Sequence, residues 1–191
     1  MAIYGCKHPV YAPITSYTAG TAPVYGDVIN GVDKAGRITK VDITIDRADA
    51  SLAGDNVISE RDNSVTGGSV TAGTTHITND VKEKVLGYIK KGTGFAISDA
   101  SAPFVGFGCV INEIVEGVKS YLGVWVYRIQ FAGGNMSADT KGDSINFQTS
   151  EMSGKMTEVE IGTEKLFLLT ESFTTEDAAI AWVDNKGAAA A

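Results

Sequence analysis

The sequence predicts a mainly β domain with one or two flanking helices. Apolar and polar residues alternate with a period of two in most core-forming segments, which is the pattern of half-buried strands. Only two segments follow helical spacing. The chain has 191 residues, of which 43% are apolar and 20% charged, as in a globular domain with its own core. We expect a single domain over residues 1–187 and a flexible alanine tail at 188–191.

The first strands are predicted from alternation and from two glycines. Residues 37–46 alternate between aliphatic and polar side chains, so we expect a strand with one dry face and one wet face. Residues 104–114 are apolar on one face, whereas Gly106 and Gly108 leave the other face nearly bare. A strand face without side chains allows another part of the protein, or another molecule, to come close to the backbone, so we expect a group to pack against it.

Residues 121–132 give the strongest strand signal. The large side chains expected to share one face in the core are Tyr121, Trp125, Tyr127, Ile129 and Phe131. Residues 144–149 repeat the alternation after a Lys-Gly-Asp turn, and the apolar phase then shifts, which predicts a β-bulge near Ser150. Residues 165–171 are apolar on both faces, which predicts a buried central strand or one that another subunit covers.

Two segments follow the spacing of helices. Residues 79–91 place their apolar side chains on one face and carry Asp80 and Glu83 in capping-box spacing. Residues 174–186 form the second predicted helix, which buries little surface alone because its contact face is small. Its expected contact residues are Ala178, Ile180, Ala181 and Trp182.

Residues 47–63 differ from the alternating segments on either side of them. They contain no aromatic residue and carry several charged side chains. A connection of 17 residues is long for a link between two strands of a compact domain. Long loops of this kind usually serve a function outside the packing of their own domain. We therefore expect an extended loop that contacts another molecule.

Charge and residue types argue against several classes of function. The chain has 23 acidic and 16 basic residues, a net charge of −7, which disfavours a protein that grips nucleic acid through its phosphates. The histidines, His8 and His76, stand in no zinc-binding spacing, and no dinucleotide fingerprint or phosphate-binding loop occurs. We expect no enzyme activity, no metal and no cofactor. Cys6 and Cys109 are expected to be buried free thiols.

Apolar runs are too short for a membrane segment. None approaches the roughly 18 residues that span a bilayer, and residues 1–20 do not resemble a secretion signal. We expect a soluble protein, made in the cytoplasm and without direct membrane insertion.

Five segments carry a resemblance to a known family. They are residues 7–14, 48–56, 85–87, 124–131 and 140–149, the last followed by Gly154. In sequence and in order these segments resemble the major tail proteins, or tail tube proteins, of long-tailed bacteriophages. The most specific segment is 140–149, which is similar to the signature of that family for the strand after the long aromatic one. The resemblance covers approximately residues 7–156.

The resemblance implies a particular fold and assembly. It implies a β-sandwich or barrel-like tail tube fold with a flanking helix and a long protruding loop. Six copies are then expected to close a ring, and rings to stack into the tube through which DNA is delivered into the host. The implied location is the virion tail, after synthesis in the bacterial host cytoplasm. The implied partners are copies of itself, a tape measure protein and tail terminator or distal tail proteins, while DNA passes without specific binding.

Stacked rings require four committed surfaces on each subunit, because neither the ring contact nor the stacking contact is self-complementary. We predict the contact between rings in the long loop, at Asp49, Leu52, Asp55, Asn56, Glu60, Arg61 and Asp62. We predict the contact within a ring at sheet edges and at the final strand and helix, with Leu166, Leu168 and Trp182 as candidates. The glycine-bare face at Gly106 and Gly108 is a further candidate for a subunit contact.

The wall of a DNA channel should be polar and neutral or acidic, because each neutralised phosphate would retain the passing duplex. Two predicted strands offer such faces. The first is the weaker candidate, because Lys40 places a positive charge on the same face. The candidates for the lining are Asp42, Thr44 and Asp46 on one strand, or Ser144, Asn146 and Gln148 on another.

Two alternatives stay open at this point. A related tube from a contractile particle or a secretion apparatus would share the fold and the symmetry. A β-sandwich carbohydrate-binding module belongs to a different class and would use Trp125 or Trp182 as a platform for a sugar. Trp125 stands in phase with core residues, which favours the tube.

Overall fold

The computed structural model of the chain describes residues 2–54, 57–133 and 149–188, with the backbone alone at 50–54 and 57–61. The described chain is mainly β, as predicted. The strands are β1 (Ala2–Ser16), β2 (Val24–Tyr25), β3 (Ile38–Arg47), β4 (Ala50–Gly54), β5 (Val57–Asp62), β6 (Val65–Thr74), β7 (Ile89–Lys91), β8 (Gly94–Ala96), β9 (Phe104–Val115), β10 (Val118–Gly133), β11 (Ser150–Met156), β12 (Val159–Ile161), β13 (Glu164–Leu166) and β14 (Leu168–Phe173). The helices are α1 (Gly31–Ala35), α2 (Asn79–Lys84) and α3 (Glu176–Ala188). The predicted tail beyond Ala188 lies outside the described residues.

One antiparallel sheet of eight strands organises the fold. Its order is β2-β1-β9-β10-β11-β6-β3, with β14 also paired to β10. The long strand β10 pairs with β9 along one side. Its other side is shared, because residues 121–126 pair with β14 and residues 129–133 pair with β11. The sheet curls so that β1 packs beside β3.

Two apolar clusters lie on opposite faces of this sheet. The inner cluster fills the concave side and includes side chains from α1 and α2. Its largest fully buried members are Tyr11, Phe107, Phe131, Ile29, Ile129 and Met152. The outer cluster lies under α3 and is built around Trp125, which packs with Val10, Val110, Ala179 and Val183. Each face of β9 and β10 is therefore covered, which explains their nearly continuous apolar sequences.

A β-bulge divides β10 between the two clusters, and this corrects the prediction of one shared aromatic face. The register with β9 shifts between Val126 and Ile129, where one extra residue enters β10. Trp125 accordingly faces the outer cluster, whereas Ile129 and Phe131 face the inner cluster. Residues 124–127 are all apolar or aromatic, so the sequence pattern alone could not reveal the change of face.

The glycine-bare face of β9 is covered from within the same chain. A Cβ atom added at Gly106 would lie 2.6 Å from Cζ2 of Trp125, and one at Gly108 would lie 2.5 Å from Cγ1 of Val183. The close approach predicted at these glycines is confirmed. Its use as a subunit contact is wrong, because Trp125 and α3 occupy that space.

Gly108→Ala should therefore destabilise the fold. The added methyl group overlaps both Val183 and the Trp125 ring, and overpacking a core of this kind costs about 1–3 kcal/mol of unfolding free energy. Gly67→Ala is the matched control, because its Cβ atom would meet only the Met156 carbonyl oxygen, at 3.9 Å. Urea unfolding of both variants checks this, and equal stabilities would contradict the packing described.

The first predicted helix is shorter than expected and begins differently. α2 ends at Lys84, with Val85 as its C-cap, and Gly87 follows at a φ of +70° that favours glycine. The N-cap is Thr78, whose Oγ1 accepts a hydrogen bond from the Val81 amide, so the predicted Asp80 and Glu83 capping box is wrong. The last three residues of the predicted helix form β7, the first strand of the small hairpin β7–β8.

The second predicted helix is confirmed, but half of its predicted contact face is wrong. The buried residues of α3 are Ala179, Val183 and Gly187, spaced four apart along one stripe. Ala178 and Ala181 are exposed, whereas Ile180 and Trp182 are half-buried against the outer cluster. Small side chains allow close packing, and a Cβ atom at Gly187 would lie 3.3 Å from the Trp125 ring.

The predicted strand at 165–171 is divided. β13 pairs with β12 in a separate hairpin, and β14 pairs with β10. The apolar side chains at 166–169 are half-buried, so a fully buried central strand is wrong. The predicted strand at 144–149 lies mostly outside the described residues. β11 pairs with β6 without a register shift from Ser150 to Met156, so the described part shows no bulge after Ser150.

Candidate functional site

The outer surface of β3, β6 and β11, away from the inner cluster, is polar. On β3 every second side chain points outward, while Val41 and Ile43 pack inward. We call this surface, with the adjoining part of β10, the polar face. Its members are Lys40, Asp42, Thr44 and Asp46 on β3, Ser69 and Thr71 on β6, Glu151, Ser153 and Lys155 on β11, and Gln130 on β10.

The strand register brings these side chains into rows across the sheet. Asp42 stands opposite Thr71, which in turn stands opposite Ser153. The Oγ1 atom of Thr71 and the Oγ atom of Ser153 are 3.2 Å apart, within hydrogen-bond distance. The next row holds Thr44 opposite Ser69. Small hydroxyl side chains thus occupy the middle of the face.

The charges on the polar face compensate one another. Nζ of Lys40 lies 2.6 Å from Oδ2 of Asp42, and Nζ of Lys155 lies 3.8 Å from Oδ2 of Asp46. The hydrogen bond from Lys40 to Asp42 raises the pKa of the lysine, so its ammonium group stays charged and paired at neutral pH. With Glu151 the face holds three carboxylates and two ammonium groups.

This arrangement gives a polyanion little to bind. Strong binding to nucleic acid needs lysines and arginines that are free to displace the counterions of the phosphates. Both lysines of the polar face already have a carboxylate partner. The hydroxyl groups can hydrogen-bond to water or to a passing phosphate, but they add no positive charge. Chemically, the face is a hydrated and weakly acidic surface.

The second candidate element replaces the predicted loop at 47–63. Its backbone forms a two-stranded antiparallel ribbon, β4–β5, which is not hydrogen-bonded into the main sheet. We call this ribbon the arm. Its base is fixed by a hydrogen bond from the Ala48 amide to the Ser64 carbonyl oxygen, 2.8 Å long, and by Arg47, whose guanidinium donates to the Asn63 carbonyl oxygen.

The structure describes some of the predicted contact residues of the arm with their side chains, others by their backbone alone, and two not at all. Asp49 and Asp62 lie at its base, where the Asp62 carboxylate accepts a hydrogen bond from the Ser64 amide at 2.9 Å. Leu52 stands opposite Glu60 in the backbone register, and Arg61 opposite Ser51. The side chains of Leu52, Glu60 and Arg61, and the whole of Asp55 and Asn56, lie outside the described structure.

The predicted contacts within a ring lie around β14 and α3. Leu168 packs against the inner cluster, and the Trp182 ring lies 5.8 Å from that of Phe173 in the outer cluster. Leu166 is half-buried in β13. One edge of β14 pairs with β10, and the other edge pairs with no described strand. Such an edge offers backbone groups to a neighbouring chain.

The two sets of lining candidates fare differently. Asp42, Thr44 and Asp46 lie together on the polar face. Ser144, Asn146 and Gln148 lie outside the described residues. The face is completed by four residues that the sequence pattern does not indicate: Ser69, Thr71, Ser153 and Lys155. In β6 and in β11 polar residues alternate with small or apolar ones. Only the strand register shows that the polar residues of these two strands lie beside those of β3.

Other chemistry in the described residues is sparse. Cys109 is buried, and burial raises the pKa of its thiol to about 12, so it stays protonated and inert at neutral pH. Cys6 is half-buried, and both thiols are free, as predicted. No three His, Cys, Asp or Glu side chains among the described residues come together as metal ligands. No described helix is long and apolar enough to cross a membrane.

No family model matches the chain, and no curated protein matches it.

Proposed function

We propose that this chain is a structural protein of the virion tail, which assembles into stacked hexameric rings and forms the tail tube of a long-tailed phage. In this proposal the fold is the β-sandwich or barrel-like tail tube fold, and the protein has no enzymatic role. The polar face lines the channel, the arm contacts the next ring, and the free edge of β14 contributes to the ring contact. The expected partners are further copies, a tape measure protein and terminator or distal tail proteins.

The observation that carries this proposal is the charge compensation on the polar face. A channel for duplex DNA must be wetted yet must not hold phosphates, because each neutralised phosphate adds favourable binding that slows the duplex. The face combines hydroxyl groups with lysines that are already paired to Asp42 and Asp46. The arm and the edge of β14 that pairs with no described strand supply surfaces for contacts with other copies.

The carbohydrate-binding alternative loses one of its two platforms. Trp125 is fully buried, and its indole Nε1 donates to the Tyr25 hydroxyl at 3.3 Å, so it cannot stack on a sugar. Trp182 packs on Phe173, and Nζ of Lys186 lies 5.4 Å from the centre of its ring. These contacts favour a packing role for both rings.

Negative-stain electron microscopy of the concentrated protein tests the proposal directly. We expect hollow rings or tubes of constant width, with six-fold class averages in end views. Addition of initiator proteins from the same tail should start assembly if the purified subunit stays monomeric. A chain that remains monomeric with these initiators present would overturn the proposal.

A positive charge placed on the polar face should make the tube retain DNA. Ser153 is exposed in the middle of this face, so Ser153→Arg should fold normally and add one guanidinium per subunit, which removes the excess of negative charge on the face. Short duplex DNA should then be retained by assembled tubes at about 0.05 M salt and released by about 0.2 M, because the binding is electrostatic. Ser153→Gln is the neutral control. Equal retention by both variants would show that this face does not line the channel.

A further inference from the structure

Glu113 is a buried carboxylate at one end of the main sheet. Its residue is only 3% exposed, and its Oε1 accepts hydrogen bonds from Oγ of Ser120, at 3.0 Å, and from Oγ of Ser172, at 3.3 Å. No described residue forms an ion pair with it. A buried carboxylate held only by neutral hydroxyls lacks the cation that normally offsets its loss of hydration.

Exposed aliphatic side chains stand around this carboxylate. Ile3 is opposite Glu113 in the β1–β9 register, Val115 is two residues further on the same face, and Val118 is opposite Val115. These three side chains are 59%, 40% and 68% exposed, respectively. We call Glu113 with these three residues the socket. A partner that covered the aliphatic rim would exclude the little water that still reaches the carboxylate and strengthen a charge pair there.

The hairpin β7–β8 carries the complementary chemistry. Ile89 and Lys91 are two residues apart on β7 and so share a face, whereas Lys90 points to the other face, opposite Phe95. Ile89 is 46% exposed, and Lys91 is exposed and forms no ion pair with a described residue. We call Ile89 with Lys91 the plug. It offers one unpaired cation beside one exposed aliphatic side chain.

The socket and the plug lie at opposite ends of the sheet. Glu113 stands opposite Ser120, near the start of β10, while the residue that precedes β7 is tied to the end of β10 by the 3.0 Å hydrogen bond from the Tyr88 hydroxyl to the Gly133 carbonyl oxygen. Thirteen residues of strand between Ser120 and Gly133 span about 40 Å. A plug therefore cannot reach the socket of its own chain, but it can reach that of a copy placed end to end.

The arm points towards the socket end of the sheet. β6 is antiparallel to β11, and β11 is antiparallel to β10, so β6 runs in the same direction as β10. Gly68 is level with Ile129 through their shared neighbour Met156, so β6 begins level with the middle of β10, and the arm extends from there towards the end at which Glu113 lies. A contact between socket and plug would thus act along the direction in which the arm is proposed to reach the next ring.

We propose that the plug of each subunit inserts into the socket of a copy in the next ring, where Lys91 forms an ion pair with Glu113. This inference rests on the proposed tube function and names the charged contact that orders the stack. It is a heterologous contact between different patches, which repeats along an axis without closing. The contact also gives the stack a direction, because the two patches differ and lie at opposite ends of each subunit.

Charge changes on the hairpin test the contact. Lys91→Glu should raise the concentration needed for tube assembly at least tenfold, because it places a carboxylate against Glu113. Lys90→Glu is the matched control, with the same change of charge on the opposite face of the same hairpin, and should shift assembly less than twofold. Normal assembly of Lys91→Glu, or equal impairment by both variants, would overturn the inference.

Glu113→Gln separates assembly from folding. The amide oxygen can still accept from Ser120 and Ser172, and no buried charge remains, so the isolated subunit should be at least as stable as the parent. Tube assembly should nevertheless weaken at least tenfold and lose part of its salt dependence. A variant that assembles like the parent would contradict a role for the carboxylate.

A disulfide can report the contact itself. Val118→Cys combined with Ile89→Cys places exposed thiols on the socket rim and on the plug, and mild oxidation should link neighbouring copies in tubes. Val118→Cys with Val32→Cys, another exposed valine, is the control and should not link. Tubes without the Val118–Ile89 link would overturn this inference and leave the tube function standing. A parent chain that forms no tube even with the initiator proteins present would overturn both.

Discussion

Trp125→Ala is expected to lower the free energy of unfolding by about 3–5 kcal/mol, the cost typical of deleting a large buried aromatic side chain. The ring is fully buried and fills the space above Gly106 and Gly108. Its loss leaves a cavity between the sheet and α3, and the Tyr25 hydroxyl loses one hydrogen-bond partner. Urea unfolding followed by circular dichroism measures the loss.

Trp182→Ala is the matched control for this prediction. Trp182 packs on Phe173 at the margin of the same cluster but is only half-buried, so its removal should cost clearly less. Equal losses for the two tryptophans would contradict the placement of Trp125 at the centre of the outer cluster. The comparison uses one residue type in one cluster, so the difference reports the deeper burial of Trp125 together with its hydrogen bond to Tyr25.

Deletion of residues 50–60 is expected to abolish tube formation while the domain still folds. The hydrogen bond between Ala48 and Ser64 closes the base of the arm, and the four residues left between them can form a short hairpin turn. The arm is not hydrogen-bonded into the main sheet, so both clusters keep their contacts. Electron microscopy and sedimentation velocity would measure assembly.

The thermal unfolding of the same deletion variant provides the control. A melting temperature close to that of the parent subunit would show that the domain is intact and that the loss of tubes is specific. Tubes of normal length and stability from the deletion variant would rule out the arm as the stacking element. The socket and plug would then have to hold the rings together without it.

Alternation predicted the strands whose two faces differ in polarity. β3 and β9 lie within one residue of their expected bounds, because each alternates over most of its length. β1 was not predicted as a strand. Its alternation is interrupted by two register shifts against β9, and His8 adopts a φ of +54°. Irregular backbone of this kind hides a strand from any periodic pattern.

The errors in the helices have a different cause. Residues 79–91 hold apolar side chains at helical spacing, but Gly87 ends the helix because its positive φ is incompatible with helical backbone. In α3 the alanines are too alike to reveal which of them face the sheet. Only the packing of Ala179, Val183 and Gly187 against the outer cluster decides this.

The residues that β3 contributes to the polar face could be predicted from the sequence, but the neighbouring residues on other strands could not. The outward polar residues of β3 follow directly from alternation, and Asp42, Thr44 and Asp46 were identified in that way. Their neighbours on β6 and β11 come from chain segments that are distant in sequence. The pairing of Lys155 with Asp46 and of Thr71 with Ser153 depends on register across three strands, which a single sequence does not encode locally.

The bulge between Val126 and Ile129 also restricts how the length of the chain can vary. Removing one residue there would restore a regular ladder and would turn either Trp125 or Phe131 away from its cluster. Inserting one residue there would also turn one of these two side chains away from its cluster. Descendants of this gene can therefore exchange the exposed side chains of β10, but an alignment of them should show no gap between residues 121 and 133.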